Sequence, residues 1–337
     1  MRAYGQPRSG EAAQCRGGVS DMPMLIEPPR FAVLLATHNG ACWLAEQLDS
    51  ILAQTGGSLR LFVSDDQSSD QTLERLRDTA AVDPRVCLLP SDRIFGTANR
   101  NFLRLVRDAE IGDATHVAFA DQDDVWYMGK LARAAFLLRL SGCNGYSGSV
   151  VASYPNGTTR RIDKAQPQRR FDHLFESPGP GCSFVLTRAL FDAFKDFAIR
   201  KTAQTDAFAF HDWLIYAFAR ESGKRWFIDP IPMLRYRQHA ANVLGANTGI
   251  TAYWRRVAQV RSRSYATQVA ALCMILRDEP GACKEWLTRL EREFGKRPGL
   301  LKRLSFCHLF VWQGRRRLRD RVTLAIFATF GWLWVGI

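Results

Sequence analysis

Apolar residues near the start of the chain come in two alternating rhythms. Phe31-Ala32-Val33-Leu34-Leu35-Ala36 is an unbroken apolar run between Pro28-Pro29 and Asn39-Gly40, the pattern of a strand buried on both faces. Trp43, Leu44, Gln47, Leu48, Ile51 and Leu52 then recur at helical spacing until Thr55-Gly56-Gly57 ends the run. A second strand is predicted over Leu59 to Ser64, followed by a helix through about Asp78 that Ser68 and Gln71 open as a capping box. Arg85 to Leu89 reads as a third strand. Phe102, Leu105, Val106 and Ala109 share one face of a helix from Asn99 to Ala109, and His116 to Ala120 is a fourth strand.

Strands alternating with helices predict an α/β fold with a parallel, doubly wound sheet. Such sheets gather ligands beyond the carboxyl ends of their strands. Three polar groups fall there: Thr37-His38-Asn39, Asp65-Asp66 and Asp121 to Asp124. From Gly142 to Arg170 the chain turns to Gly, Ser, Asn, Pro and Arg, so irregular strands and loops are expected. Order resumes with Gly179 to Ser183, a strand from Phe184 to Leu186, helices over Arg188 to Phe197 and His211 to Arg220, and short strands at Arg225 to Asp229 and Met233 to Gln238. The expected organisation is a flexible leader (1–29), a catalytic unit (30–250) and a helical, basic C-terminal region (251–337).

The formal net charge is +13, yet residues 251–337 hold 17 Lys/Arg against 6 Asp/Glu, so +11 of it belongs to that region. A phosphate-backbone footprint lacks any recognisable nucleic-acid motif, and the arginines are interleaved with long apolar runs that suit lipid better. The 16 residues from Val322 to Ile337 carry Trp332 and Trp334 and follow the run Arg315 to Arg321. They fit a segment lying in an anionic membrane interface. A helix docked on its own core, with arginines in solvent, is the alternative. No stretch reaches the roughly 20 apolar residues of a spanning helix. Eight cysteines without a CxxC pair, and a Met1 to Pro29 segment without a signal-peptide core, fit a reducing cytoplasm.

Asp121, Asp123 and Asp124 crowd three carboxylates into four positions, and such groups repel unless a cation or donors lie between them. With FAVLLATHNG, LFVSDDQSSDQT, FADQDDVWYMGKL, GPGCSFVLTRALF, HDW and YRQHAANVLG in this order, residues 31 to 245 resemble glycosyltransferase family 2, in its bacterial rhamnosyltransferase-like branch. The resemblance implies the GT-A nucleotide-diphospho-sugar transferase fold, with a doubly wound mixed sheet. It also implies an inverting, metal-dependent transferase of cell-surface polysaccharide synthesis at the inner face of the plasma membrane. The donor would be a dTDP- or UDP-sugar, with L-rhamnose from dTDP-rhamnose the one the branch suggests, and the acceptor a glycan or a lipid-linked sugar. A catalytically silent nucleotide-sugar-binding module of the same fold is the alternative.

By the same resemblance Thr37, Asn39 and Asp66 hold the base and ribose, with Asp66 accepting from the pyrimidine N3–H. Asp124 is the direct ligand of Mg²⁺ or Mn²⁺, Asp121 and Asp123 contact ribose or metal-bound water, and His239 adds a metal or diphosphate ligand with Gln238 and Asn242 nearby. Arg100 or Asn101 reaches the diphosphate. Gly181 and Cys182 let backbone approach the donor sugar or the acceptor closely, Trp213 stacks on sugar or braces the site, and Trp126 packs in the core. Asp212 is the base that takes the acceptor proton. Cys182 has no partner base for a nucleophilic role. Gly129 stands where relatives commonly have Pro, and Ala240-Ala241 where Gly-Asn is frequent.

Overall fold

Strand β1 (Arg30–Thr37) is hydrogen-bonded in parallel to β2 (Ser58–Asp65) on one side and β4 (His116–Asp121) on the other. The computed structural model describes residues 27–90, 92–239, 264–281, 283–294 and 299–331. Successive side chains of β1 enter two different cores, which is why the run has no polar position. Phe31, Val33 and Leu35 pack with α1 (Ala41–Leu52) and α4 (Lys130–Ser141). Ala32 and Leu34 pack with α3 (Ala98–Asp108), α5 (Arg188–Arg200) and α7 (His211–Glu221).

With β3 (Val86–Leu88), β6 (Gly145–Gly148), β9 (Val185–Thr187) and β10 (Trp226–Asp229) the sheet has seven strands in the order β10-β6-β9-β4-β1-β2-β3. Strand β9 runs against β4 and β6, so the sheet is mixed. A second sheet, ordered β5-β11-β7-β8, joins β5 (Val125–Trp126), β7 (Val150–Ser153), β8 (Thr159–Ile162) and β11 (Leu234–Arg237). Pairing of β5 with β11 brings the acidic turn and the YRQH segment together. Helix α2 (Thr72–Val82) departs from the expected capping box: Asp70 accepts the Thr72 N–H at 2.9 Å, while Ser68 closes a turn onto Asp65. Gly129 caps α4 at φ +78°, a left-handed conformation closed to proline, whose ring holds φ negative.

The short α6 (Thr202–Ala207) links α5 to α7. Beyond them lie α8 (Ser264–Leu276), α9 (Lys284–Phe294), α10 (Leu300–Leu309), a π-helical turn (Phe310–Gly314) and α11 (Leu318–Thr329). Leu272, Leu276, Leu287, Phe294, Phe310 and Leu324 are buried in the same core as α3, α5 and α7. The C-terminal region therefore docks on the catalytic unit. Helices α10 and α11 are antiparallel, joined where the Cys307 thiol meets Ala325 O (3.3 Å) and the Thr329 hydroxyl (3.0 Å). On the side of this seam away from the core, Leu300, Leu301 and Leu304 of α10 and Leu318, Val322, Ile326 and Phe330 of α11 are exposed. Along each helix they recur at three- or four-residue spacing and so share a face. No helix among the described residues is long and apolar enough to cross a membrane.

The arginine run departs from the alternative in which its arginines lie in solvent. Arg316 and Arg321 are buried, Arg315 and Arg317 are half-buried, and only Arg319 of the five is exposed. Acceptors on the catalytic unit draw them in: the Arg316 N–H donates to Glu176 Oε1 (2.6 Å), its Nη2 donates to Ser177 O (2.8 Å), and Arg317 donates to Asp163 O.

Candidate active site

Register sets the carboxyl ends of three strands level, pairing Thr37 with Asp65 and Ala36 with Asp121. The Thr37 hydroxyl donates to Asp65 Oδ1 at 2.9 Å. Asn39 sits at φ +50°, held there as its side-chain oxygen accepts the Ser69 N–H at 2.7 Å. Asp66 accepts from the N–H groups of Phe95 (2.5 Å) and Gly96 (2.8 Å). Its carboxylate thus ties down the loop after β3 while each oxygen keeps a lone pair for a further donor. Asn101 is buried behind this edge and donates to Thr37 O (3.2 Å) and Ser64 O (2.9 Å), so it braces the strand ends. Arg100 lies at the rim, donating to Asp206 O at 3.2 Å.

One ligand atom each from Asp121, Asp124 and Cys182 lies within 4.8 Å of the others. Asp124 is fully buried; its Oδ1 accepts the Arg237 N–H at 3.2 Å and its Oδ2 has no partner. Burial, then the charge of Asp123, pushes the Asp121 carboxyl up to about 7. The same causes hold Asp124 well above the carboxylate range. An orphaned carboxylate oxygen among like charges is what a divalent cation relieves, and hard oxygen donors suit Mg²⁺ or Mn²⁺. Burial and these two aspartates raise the Cys182 thiol well above its ordinary value, which keeps it protonated and unfit as a nucleophile. His239 Nε2 meets Asp123 Oδ2 at 2.6 Å, and its ring stacks on Trp43 with centroids 3.9 Å apart. Gln238 is buried beside it, donating to Arg237 O; Asn242 lies outside the described residues.

The Gly181–Ser183 turn presses on the start of α7, where a Cβ at Gly181 would stand 2.4 Å from His211 Nε2 and 3.3 Å from the Asp212 Cβ. Only glycine permits this approach, and it brings Asp212 into the electrostatic range of Asp121. Burial raises the Asp212 carboxyl, opposed by the Trp213 N–H (2.7 Å), a Ser177 hydrogen bond and the charge of Lys164. Trp213 points the other way. Its indole is buried, donates to His173 O at 2.8 Å and stacks on Tyr265, so it anchors α7 to the core and presents no face to a sugar.

Four contributors escaped sequence reasoning. Gln122 clamps the loop after β1 from both sides, accepting the His38 N–H (2.8 Å) and donating to His38 O (2.9 Å). Lys130 is buried with its ammonium 3.4 Å from the Trp126 ring centroid, pushed down to about 7 by burial against the pull of Cys182 and Asp124. Arg237 donates to Asp123 O (2.9 Å) and pairs with Glu46. Both Lys130 and Arg237 lie inside quoted motifs, so the signal was present; Lys164, beside Asp212, carried none.

Residues 32–203 match the family described as Glycosyl transferase family 2. The chain is 36% identical over 293 residues to the dTDP-rhamnosyl transferase RfbG of Shigella flexneri, covering 87% of this chain and 98% of that one. It is 26% identical over 165 residues to the UDP-Glc:alpha-D-GlcNAc-diphosphoundecaprenol beta-1,3-glucosyltransferase WfgD of Escherichia coli, covering 48% and 62%. The structure of S. aureus TarS 1-349 in complex with UDP-GlcNAc aligns with a TM-score of 0.53 at 15% identity, over 89% of this chain and 81% of that one. That last likeness speaks to the fold alone. The chain belongs to glycosyltransferase family 2 and is a glycosyltransferase of GT-A fold.

Proposed function

We propose that this glycosyltransferase is inverting and metal-dependent, moving L-rhamnose from dTDP-rhamnose to a lipid-linked acceptor in surface polysaccharide synthesis. The observation that carries the reading is a buried Asp124 oxygen without a partner beside Asp121, with Asp212 at the start of α7 near enough to Asp121 to act on its charge. Asp124 and Asp121 would hold Mg²⁺ or Mn²⁺, with His239 and Asp123 beside them. When bound, that ion supplies positive charge against the departing nucleoside diphosphate. Asp66 and the loop after β1 orient the base and ribose. Asp212 takes the proton from the acceptor hydroxyl as it attacks the anomeric carbon from the face opposite the nucleotide. The donor assignment leans on the likeness to RfbG over nearly its whole length, and the lipid diphosphate acceptor on the likeness to WfgD.

A panel of dTDP-rhamnose, UDP-glucose and UDP-GlcNAc tests the donor. Nucleotide release with Mn²⁺ is expected to be about tenfold or more faster from dTDP-rhamnose, and to stop in EDTA. Equal release from all three would reject the rhamnose assignment, and full activity in EDTA would reject the metal. Release from none of them would favour the silent binding module.

An acceptor on a lipid carrier requires the enzyme to meet a membrane. The apolar face of α10 and α11 with Lys302 and Arg319 exposed on the same helices suits an anionic surface. Placing Glu at Leu301, Val322 and Ile326 together is expected to weaken sedimentation with phosphatidylglycerol vesicles by about tenfold or more. Undiminished sedimentation would exclude this face.

A further inference from the structure

Lys164 lies next to the catalytic edge and no part of the donor chemistry uses it. Its ammonium acts on Asp212, and around it stand Arg316, Arg317 and Arg315, with Glu176 as the opposing charge. Burial and these arginines push the lysine down to about 8. Several N–H groups here have no acceptor. Arg315 Nε, Arg316 Nε and Arg316 Nη1 are buried without a hydrogen-bond partner, the nearest carboxylates of Glu176 and Asp172 lying 3.6 to 3.7 Å away. Arg316 is 3% exposed and fixed in place by Ser177 O, and the Ser177 side chain in turn bonds Asp212. Glu176, Asp172, Asp163 and Asp320 offset part of this charge, and the N–H donors that they leave unfilled are groups an arriving multivalent anion would satisfy.

We infer that Lys164 and Arg315 to Arg317 form a seat for the phosphate groups of the acceptor, a lipid diphosphate whose sugar then reaches Asp212. This rests on the transfer to a lipid-linked acceptor proposed above. The seat has the right neighbours for such a molecule. Arg317 is followed at once by Leu318, the first residue of the exposed stripe that Val322 and Ile326 continue along α11. The diphosphate sits on the arginine turn, the lipid chain runs along the apolar face, and the sugar points to the base. The docking of the C-terminal region thereby completes the acceptor side of the site.

Farnesyl diphosphate is the probe, titrated calorimetrically into the full chain in EDTA with saturating dTDP. Binding is expected under these conditions. It should weaken about tenfold or more in Lys164→Gln and in Arg317→Gln, each of which removes one charge-assisted contact, with circular dichroism confirming that both variants fold. Inorganic pyrophosphate should bind about tenfold or more weakly, and farnesol not measurably. Binding that appears only when dTDP is left out would put the probe in the donor site, and equal binding of farnesol would reduce the seat to grease; either overturns the inference. Equal affinity for pyrophosphate overturns the lipid assignment. Unchanged affinity in both folded variants also overturns it, including the case in which Lys164→Gln merely shifts the pH profile of Asp212. Nucleotide release from dTDP-rhamnose is read separately, so failure of the seat and failure of the donor reading are distinguishable.

Discussion

Asparagine at position 212 is expected to lower kcat about 10²- to 10⁴-fold, the range that a positioned general base contributes. The amide keeps the volume of the carboxylate and its oxygen still accepts the Trp213 N–H now made at 2.7 Å, so α7 should start as before. The carboxylates of the acidic turn are untouched, so KM for the donor should change little while kcat collapses. His211 is no substitute. Burial pushes its imidazole down to about 3, and its ring is stacked on Phe102 with centroids 4.0 Å apart. In the wild type Asp212 must be ionised to act, and its carboxyl is raised by burial. The rate should therefore fall on acidification with an acid limb lying above the ordinary aspartate value near 4. A pH–rate profile and a kcat measurement on Asp212→Asn check both statements. Retention of more than about a tenth of kcat would place the base elsewhere.

The central strands were legible because their chemistry is local. A strand buried on both faces must be apolar at every position, and the middle of β1 and β4 declares itself without a partner in view, while β2 does so from Leu61 to Val63. The second sheet did not. Its strand Val150–Ser153 is short and pairs with Leu234–Arg237 far along the chain, and the outer edge of the first sheet, where Gly145–Gly148 pairs with Trp226–Asp229, is just as remote in sequence. Nothing local signals such pairing. The acidic turn was legible as a site because three carboxylates in four positions need a reason. Trp213 shows the limit of reading by adjacency: next to Asp212 in sequence, it turns its indole onto His173 O because a helix sends neighbouring residues to different faces. The contacts of Arg315 to Arg317 with the catalytic unit were hidden for the same reason, since their acceptors at Asp163, Glu176 and Ser177 lie about 140 residues or more away. Those contacts draw the charge run onto the catalytic unit.

Asp124→Asn should abolish turnover and, in the absence of divalent ions, make the protein more stable. Activity falls about 10³-fold or more, since charge stabilisation of a departing diphosphate is worth several kcal/mol. The stability change has the opposite sign for an electrostatic reason. Asp124 is buried beside Asp121 and Asp123, one of its oxygens lacks a partner, and its carboxyl is held well above the range it has in an unfolded chain. A carboxyl raised by folding costs stability once pH exceeds its unfolded value, and the full cost is present above its folded value. A neutral amide removes that cost, keeps the Arg237 N–H as a donor to its oxygen, and can donate its own N–H toward Asp121. In EDTA at pH 8 the variant should melt above the wild type, and the gap should close as pH falls toward 4. Added Mn²⁺ should raise the wild-type midpoint by mass action and leave the variant unmoved. Differential scanning calorimetry across pH, with and without Mn²⁺, reads all of this. A variant that melts below the wild type in EDTA, or that Mn²⁺ still stabilises, would show that Asp124 is a structural carboxylate and that the cation is held elsewhere.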